Sequence, residues 1–298
     1  MNTKFGAACL SILGGALALV LPAVGHAGNV GYFDMCGGNQ AAHAAAITIA
    51  GHTPVAVTTP DAETLSGLNM LSVTNCSNNG YSANYTSHLG EIAAAVNNGM
   101  ILIVHDRAVT DASTILAGGS GLTTVRDTNS DIDFPAGSPI ITGPGGTLTN
   151  ASLDGGTSSS HGYIIAASLP AGGSVLASRP SGGGESDFES CDDYGYRGTK
   201  LNWCRQICEV EQTPAVLDTW IHRWLRQFHE DPPCMSTQPI TTEGATIQYP
   251  LGYGRVIYST IPLDFYLAGS GPGQVNQNMD TVYLPNVISW AFSAQQPK

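Results

Sequence analysis

The run Gly99-Met100-Ile101-Leu102-Ile103-Val104-His105-Asp106-Arg107 decides how this 298-residue chain folds. Five consecutive apolar side chains, Met100 to Val104, stand between a glycine and three ionisable residues. An apolar run this short, with no polar alternation, suits a strand buried on both faces of a parallel sheet. The preceding segment, Ser87 to Asn98, carries Leu89, Ile92, Ala93 and Val96 at helical spacing, and Asn98-Gly99 is a helix stop. His105, Asp106 and Arg107 then arrive where the carboxyl end of the strand meets solvent. In open α/β sheets that edge is where ligands bind.

The same alternation runs outward from this stretch. Val30 to Phe33 is a short strand ending at Asp34, Met35 to Asn39 is a turn, and Gln40 to Ala50 is an Ala-rich helix stopped by Gly51. Pro54–Thr58 and Leu68–Val73 are the next strands, the latter ending at Thr74-Asn75-Cys76. Strands alternating with helices imply a doubly wound α/β fold. The expected sheet is flavodoxin-like and mostly parallel, a three-layer sandwich with strand order 2-1-3-4-5. In that order strands one and three are neighbours, so Cys36 and Cys76, just beyond their ends, are expected to form a disulfide. Arg255–Thr260 resumes the sheet and Tyr283–Ser293 closes the domain as a helix around Val287, Ile288 and Trp290.

Two segments interrupt this pattern. Residues 118–178 are rich in Gly, Ser and Thr, with β-like pieces at Pro139–Thr142, Gly146–Leu153 and Tyr163–Ala167. They read as long loops and a small antiparallel extension over the carboxyl edge of the sheet. Residues 181–243 hold 11 of the 23 acidic residues and Cys191, Cys204, Cys208 and Cys234, a shift in composition that marks an insertion. Its clear helix starts at Thr213-Pro214, stops at Asp231-Pro232-Pro233, and has an apolar face of Val216, Leu217, Trp220, Ile221, Trp224, Leu225 and Phe228. The expected domains are therefore 28–180 with 244–298, and a cystine-rich helical insertion at 181–243.

The first 27 residues read as a secretory signal peptide: Lys4, an apolar run over 7–24, then Gly25-His26-Ala27 for cleavage after Ala27. The expected product is secreted or periplasmic, with no membrane span. Loss of Lys4 deepens the formal charge from −12 to −13, which argues against nucleic acid and anionic membrane surfaces as partners. The six remaining cysteines are expected in disulfides, although those of the insertion also have the donor chemistry for zinc. No cofactor signature appears: there is no G-x-S-x-G, H-E-x-x-H or phosphate loop followed by Lys. Asp127, Asn129, Asp131 and Asp133 space oxygens as in the front half of a calcium loop. Ile132 stands where that loop needs Gly, and Ser138 where it needs a bidentate Glu. His222 and His229 lie two turns apart, about 10.5 Å, too far to share a metal.

The residues with chemistry are His105, Asp106 and Arg107, with His161 in a Ser/Gly loop and Asp34 and Asp264 at what read as strand ends. One reading gives a base, its orienting acid and an anion clamp. The other gives a structural network in which Arg107 pairs with Asp34 or Asp106.

Val104-His105-Asp106-Arg107, Leu153-Asp154-Gly155-Gly156 with Ser160-His161-Gly162, Gly254 to Asp264, and Leu284-Pro285-Asn286 together resemble the class I glutamine-amidotransferase-like superfamily, nearest its ThuA-like branch and exported bacterial relatives. The resemblance covers residues 29–180 and 245–293. It implies a flavodoxin-like sandwich and, for the ThuA-like branch, a link to sugars. Amidotransferases carry a nucleophilic Cys after the strand that here ends at Val104, and His105 stands in its place, so glutamine hydrolysis is not expected. The leading expectation is an exported protein that binds a glycan or another cell-surface ligand, with the insertion as a recognition surface for a cell-surface partner. The alternative is an extracellular hydrolase or sugar-modifying enzyme using His105, Asp106 and His161, with Asp34, Arg107 and Asp264 binding the ligand.

Overall fold

The computed structural model describes residues 27–38, 40–156, 158–179 and 243–294. The signal segment before Ala27 lies outside them. So do the expected helix from Thr213 to Asp231, Cys191, Cys204, Cys208, Cys234, His222 and His229.

The fold is mixed α/β around a nine-stranded sheet. Its first half alternates as expected: β1 (Asn29–Asp34), α1 (Gln40–Ile49), β2 (Thr53–Ala56), α2 (Ala62–Ser66), β3 (Met70–Asn75), α3 (Ala83–Thr86), α4 (Leu89–Asn97) and β4 (Ile101–Asp106). The strands β5 (Thr124–Asn129), β6 (Thr142–Gly143), β7 (Gly146–Thr147), β8 (Ser160–Ile165), β9 (Ser174–Arg179), β10 (Glu243–Leu251) and β11 (Gly254–Ser259) follow. The chain ends in α5 (Leu263–Leu267), α6 (Gly273–Asn278), a π turn (Met279–Tyr283) and α7 (Leu284–Ser293). Strands β2, β1, β3, β4 and β11 lie side by side in that order, and all four of these pairings are parallel.

All six residues of β4 are buried. Their alternation divides the core. Ile101 and Ile103 join Val30, Met70 and Ile257 beneath α1 and α7, packing on Ile47, Val287 and Ile288. Leu102 and Val104 join Leu71, Val73 and Tyr258 beneath α2, α3 and α4, packing on Leu65, Tyr85 and Ile92. Burying each of these side chains stabilises the fold by roughly 1.5–3 kcal/mol before entropy is counted, which explains why the run tolerates no polar residue until its end. Gly99 lets α4 turn into β4, since it adopts φ +109°, a conformation costly for any other residue.

The antiparallel extension sits at the carboxyl edge. One flank of β10 pairs with β11 as far as Thr246 and Ser259, and the other pairs with β9. Past the end of β11, Gly244 and Glu243 pair with Ile164 and Ile165 of β8, so β8 continues the line of β11. β5 pairs with β8 over the end of β4. The β-like piece expected at Tyr163–Ala167 is the second half of β8. Pro139–Thr142 and Gly146–Leu153 reduce to a two-residue ladder and a 3-10 turn.

The strands on either side of residues 180–242 are paired with each other. Arg179, the last residue of β9, lies directly opposite Glu243, the first of β10, and its Nε donates to Glu243 Oε2 at 2.6 Å. Glu243 therefore belongs to the sheet. Residues 180–242 connect two strands whose ends are adjacent, so a two-residue Asn-Gly turn has the geometry to replace them. That variant should keep the far-UV circular dichroism of the domain and a cooperative thermal transition. An unfolded product would show that residues 180–242 supply core to the domain.

Candidate functional site

The parallel register sets one row of polar side chains across four strands. Asp34 pairs with Thr74, Thr74 with His105, and His105 with Ser259. These are the last positions of the apolar face under α1 and α7, so the row points to that side. Ser259 is satisfied by the hydroxyls of Thr246 (2.9 Å) and Tyr283 (3.2 Å). Among the described residues, Asp34 Oδ2, Thr74 Oγ1 and both ring nitrogens of His105 have no hydrogen-bond partner. Buried polar side chains are usually bonded, so four such atoms on three adjacent strands set this row apart from the rest of the described core.

The electrostatics follow from burial. His105 is 1% exposed, its ring meets Tyr283 edge-on at 5.8 Å, and burial, with His43 nearby, pushes it down to about 3. His43 reaches the same layer from α1, sharing a hydrogen bond of 2.8 Å with Ser72, and burial takes it to about 4. Both histidines are neutral at physiological pH. Asp34 Oδ1 accepts from the amide of Cys36 at 2.8 Å, yet burial outweighs this and raises its carboxyl above the ordinary range.

Arg107 carries a fixed positive charge at this edge. Its Nη1 donates to Asp264 Oδ2 at 2.7 Å, its guanidinium lies 5.5 Å from the Phe265 ring, and its side chain is 22% exposed. Asp264 lies in the first turn of α5, not at a strand end as expected, and α5 packs against β3 and β4. Burial raises its carboxyl, against the lowering effect of Arg107. His161 Nδ1 lies 3.0 Å from the Arg107 carbonyl. A carbonyl only accepts, so Nδ1 carries the proton and Nε2 is left as the acceptor. Burial lowers this imidazole as well.

Asp106 points the other way. One residue along a strand reverses the face, so Asp106 lies beneath the α2–α4 side while His105 lies beneath α1 and α7. Asp106 accepts from Tyr81, Tyr258, Asn75 and the amides of Ala108 and Val109, all at 2.9–3.1 Å. These bonds wind the turn after β4 tightly. Val109 sits at φ +46°, which is strained for a β-branched residue. Arg126 holds the same turn from β5, donating to the carbonyls of Arg107 and Ala108. A Cβ on Gly162 would meet the Val125 carbonyl at 2.3 Å and Val109 Cγ1 at 2.6 Å, so glycine is what lets β8 close on the turn.

The expected constellation is thus regrouped. Asp34, His105, Arg107, His161 and Asp264 all come to the carboxyl edge, whereas Asp106 is separated from His105 by the sheet and does not orient it. Arg107 pairs with Asp264, neither with Asp34 nor with Asp106. The Asp127–Asp133 series does not converge as a calcium loop would. Asp127 lies in β5 with Oδ2 bonded to Arg179 Nη2 at 2.7 Å, and Asn129 Oδ1 accepts from the Asp131 amide. Among the described residues, the one grouping of metal-donor side chains is Asp34 with Cys36 and Cys76, whose sulfurs are bonded to each other. Thr74, Tyr81, Tyr258, Asn75 and Arg126 were not anticipated. Thr74-Asn75 carried a signal, since it ends β3 as His105-Asp106 ends β4. Comparison of the chain with protein-family models and with curated proteins finds no match.

Asp106→Ala would leave the buried Tyr258 hydroxyl and the amides of Ala108 and Val109 without an acceptor. It should cost on the order of 3 kcal/mol or more in urea unfolding, with the loss recovered only in part by Asp106→Asn. The buried histidines set the response to acid. Their folded values lie below the ordinary 6.5, so between there and about 4 the unfolded chain binds more protons and stability falls as pH drops. The slope should approach about 1.4 kcal/mol per pH unit per histidine, offset through much of that window by Asp280 and Asp154, which burial raises to about 7 and about 6, and by the raised Asp34 and Asp264. Urea unfolding of His105→Gln across this range should show a shallower dependence than the wild type.

Proposed function

We propose that this is an exported, glutamine-amidotransferase-like protein of flavodoxin-like architecture that binds a small polyhydroxylated ligand, such as a sugar of an extracellular glycan, at the carboxyl edge of its sheet. The observation that carries this reading is the row Asp34, Thr74 and His105. It offers donors and acceptors that no described residue uses, beside the Arg107–Asp264 pair. Hydroxyl groups, each able to donate and accept, match a neutral imidazole, a hydroxyl and a carboxyl side by side. Arg107 supplies one fixed positive charge against Asp34 and Asp264, which suits a neutral or weakly anionic ligand better than a polyanion. The disulfide of Cys36 and Cys76 and the absence, among the described residues, of a helix long and apolar enough to cross a membrane are compatible with export through the N-terminal signal.

Binding is favoured over catalysis because the enzyme reading needs His105, Asp106 and His161 to act together. Asp106 is committed to the turn on the opposite face, and the place of the family nucleophile is held by His105. A glycan array with residues 28–298, followed by calorimetry on the best saccharide, tests the reading. Arg107→Met should weaken binding at least tenfold while moving the thermal midpoint by only a few degrees. Unchanged affinity in that variant, or binding that survives His105→Ala, would remove the site from this edge.

A further inference from the structure

A second chemistry lies on the other side of Asp34. Cys36 and Cys76 form a disulfide that joins the loops after β1 and β3. Cys36 is exposed and Cys76 half-buried, and a carboxylate oxygen of the buried Asp34 lies within 4.8 Å of both sulfurs. Cys36 lines an open cleft of about 370 Å³ together with Met35, Asn75 and residues of the loop 77–82. No ionised side chain lines this cleft. A disulfide that only staples a fold needs neither access nor a buried acid. One that exchanges with thiols needs an exposed sulfur to be attacked and a group to handle the leaving proton.

We propose that Cys36–Cys76 is a redox-active disulfide that oxidises a dithiol presented by an extended, uncharged segment of another exported protein, with Asp34 as its proton relay. A thiolate of the partner attacks Sγ of the exposed Cys36 along the cleft. A partner–Cys36 bond forms, the Cys36–Cys76 bond breaks, and Cys76 leaves as a thiolate that takes the proton of Asp34. The Asp34 carboxylate then accepts the proton of the partner's second thiol. That sulfur attacks the partner's first, forms its disulfide and releases Cys36 as a thiolate, which is protonated from water. Two electrons pass from the partner dithiol to this chain, which ends as a dithiol. The geometry places an Asp34 oxygen within 4.8 Å of both sulfurs, and burial, against the lowering effect of the Cys36, Gly38 and Gly37 amides, raises its carboxyl from the ordinary value toward that of a thiol.

The test treats the folded, oxidised protein with reduced glutathione or dithiothreitol, quenches with acid, alkylates, and maps peptides so that Cys36 and Cys76 are read apart from the four cysteines at 191, 204, 208 and 234. Both should open under native conditions, with the mixed glutathione disulfide on Cys36, and close again in oxidised glutathione. Asp34→Asn should slow opening at least tenfold near neutral pH and flatten its pH profile. With an uncharged synthetic peptide that carries one thiol, the oxidised wild-type protein should accumulate a mixed disulfide on Cys36 and free Cys76 as a thiol, because no second peptide thiol resolves it. A pair that stays closed in the folded protein, at thiol concentrations that open it in urea, would make the bond a staple and overturn the proposal. So would an oxidised protein that forms no mixed disulfide with the single-thiol peptide. Opening at an unchanged rate and pH profile in Asp34→Asn would remove the relay. The sugar-binding reading stands or falls separately, through Arg107.

Discussion

The in-register parallel pairing of β1, β3, β4 and β11 is the constraint on which the rest of the structure depends. It buries β4 on both faces and delivers four strand ends to one edge. With a side-chain period of two, it also sends neighbouring residues to opposite layers. Asp34, Thr74, His105 and Ser259 become one row because they pair directly. Asn75 and Asp106, one residue further on, become a pair on the other side. Two polar networks thus arise from adjacent residues and share no side chain.

The two networks differ in how complete they are. Around Asp106 the hydrogen bonds close: two tyrosines, an asparagine and two amides converge on one carboxylate, and the strained Val109 is held because so many groups determine its position. This side behaves as a fixed scaffold. Around His105 the polar atoms are buried and less fully used, and the histidines there are kept neutral by burial. A completed network rigidifies the turn that carries Arg107, while an incomplete one leaves hydrogen-bonding capacity where Arg107 points.

Charge at this edge is set by a few residues. Asp34 and Asp264 are buried carboxyls whose protons are held more firmly than usual, and Arg107 offsets Asp264 directly. Arg179 performs a comparable office at the end of β9, pairing with Glu243 and Asp127 and lying 4.1 Å from the Tyr163 ring. In a chain with so few cations, Arg107, Arg126 and Arg179 each tie together segments far apart in sequence.

The sequence by itself determined the alternating strands and helices, the parallel order around β4, the pairing of Cys36 with Cys76 and the edge at which His105 and Arg107 emerge. These follow from local signals: unbroken apolar runs, helical spacing and glycine stops. Only the tertiary structure decided which polar groups meet. A strand's periodicity says that His105 and Asp106 diverge, but not which helix covers each, so Tyr258, Tyr81 and Asp264 as partners were beyond reach. Asp264 read as a strand end because Ile261 to Leu267 is apolar throughout, and a short buried helix and a buried strand look alike at that length. The closure of β8 over the edge rests on Gly162 fitting against Val109 and Val125, a matter of packing between distant segments that no local pattern encodes.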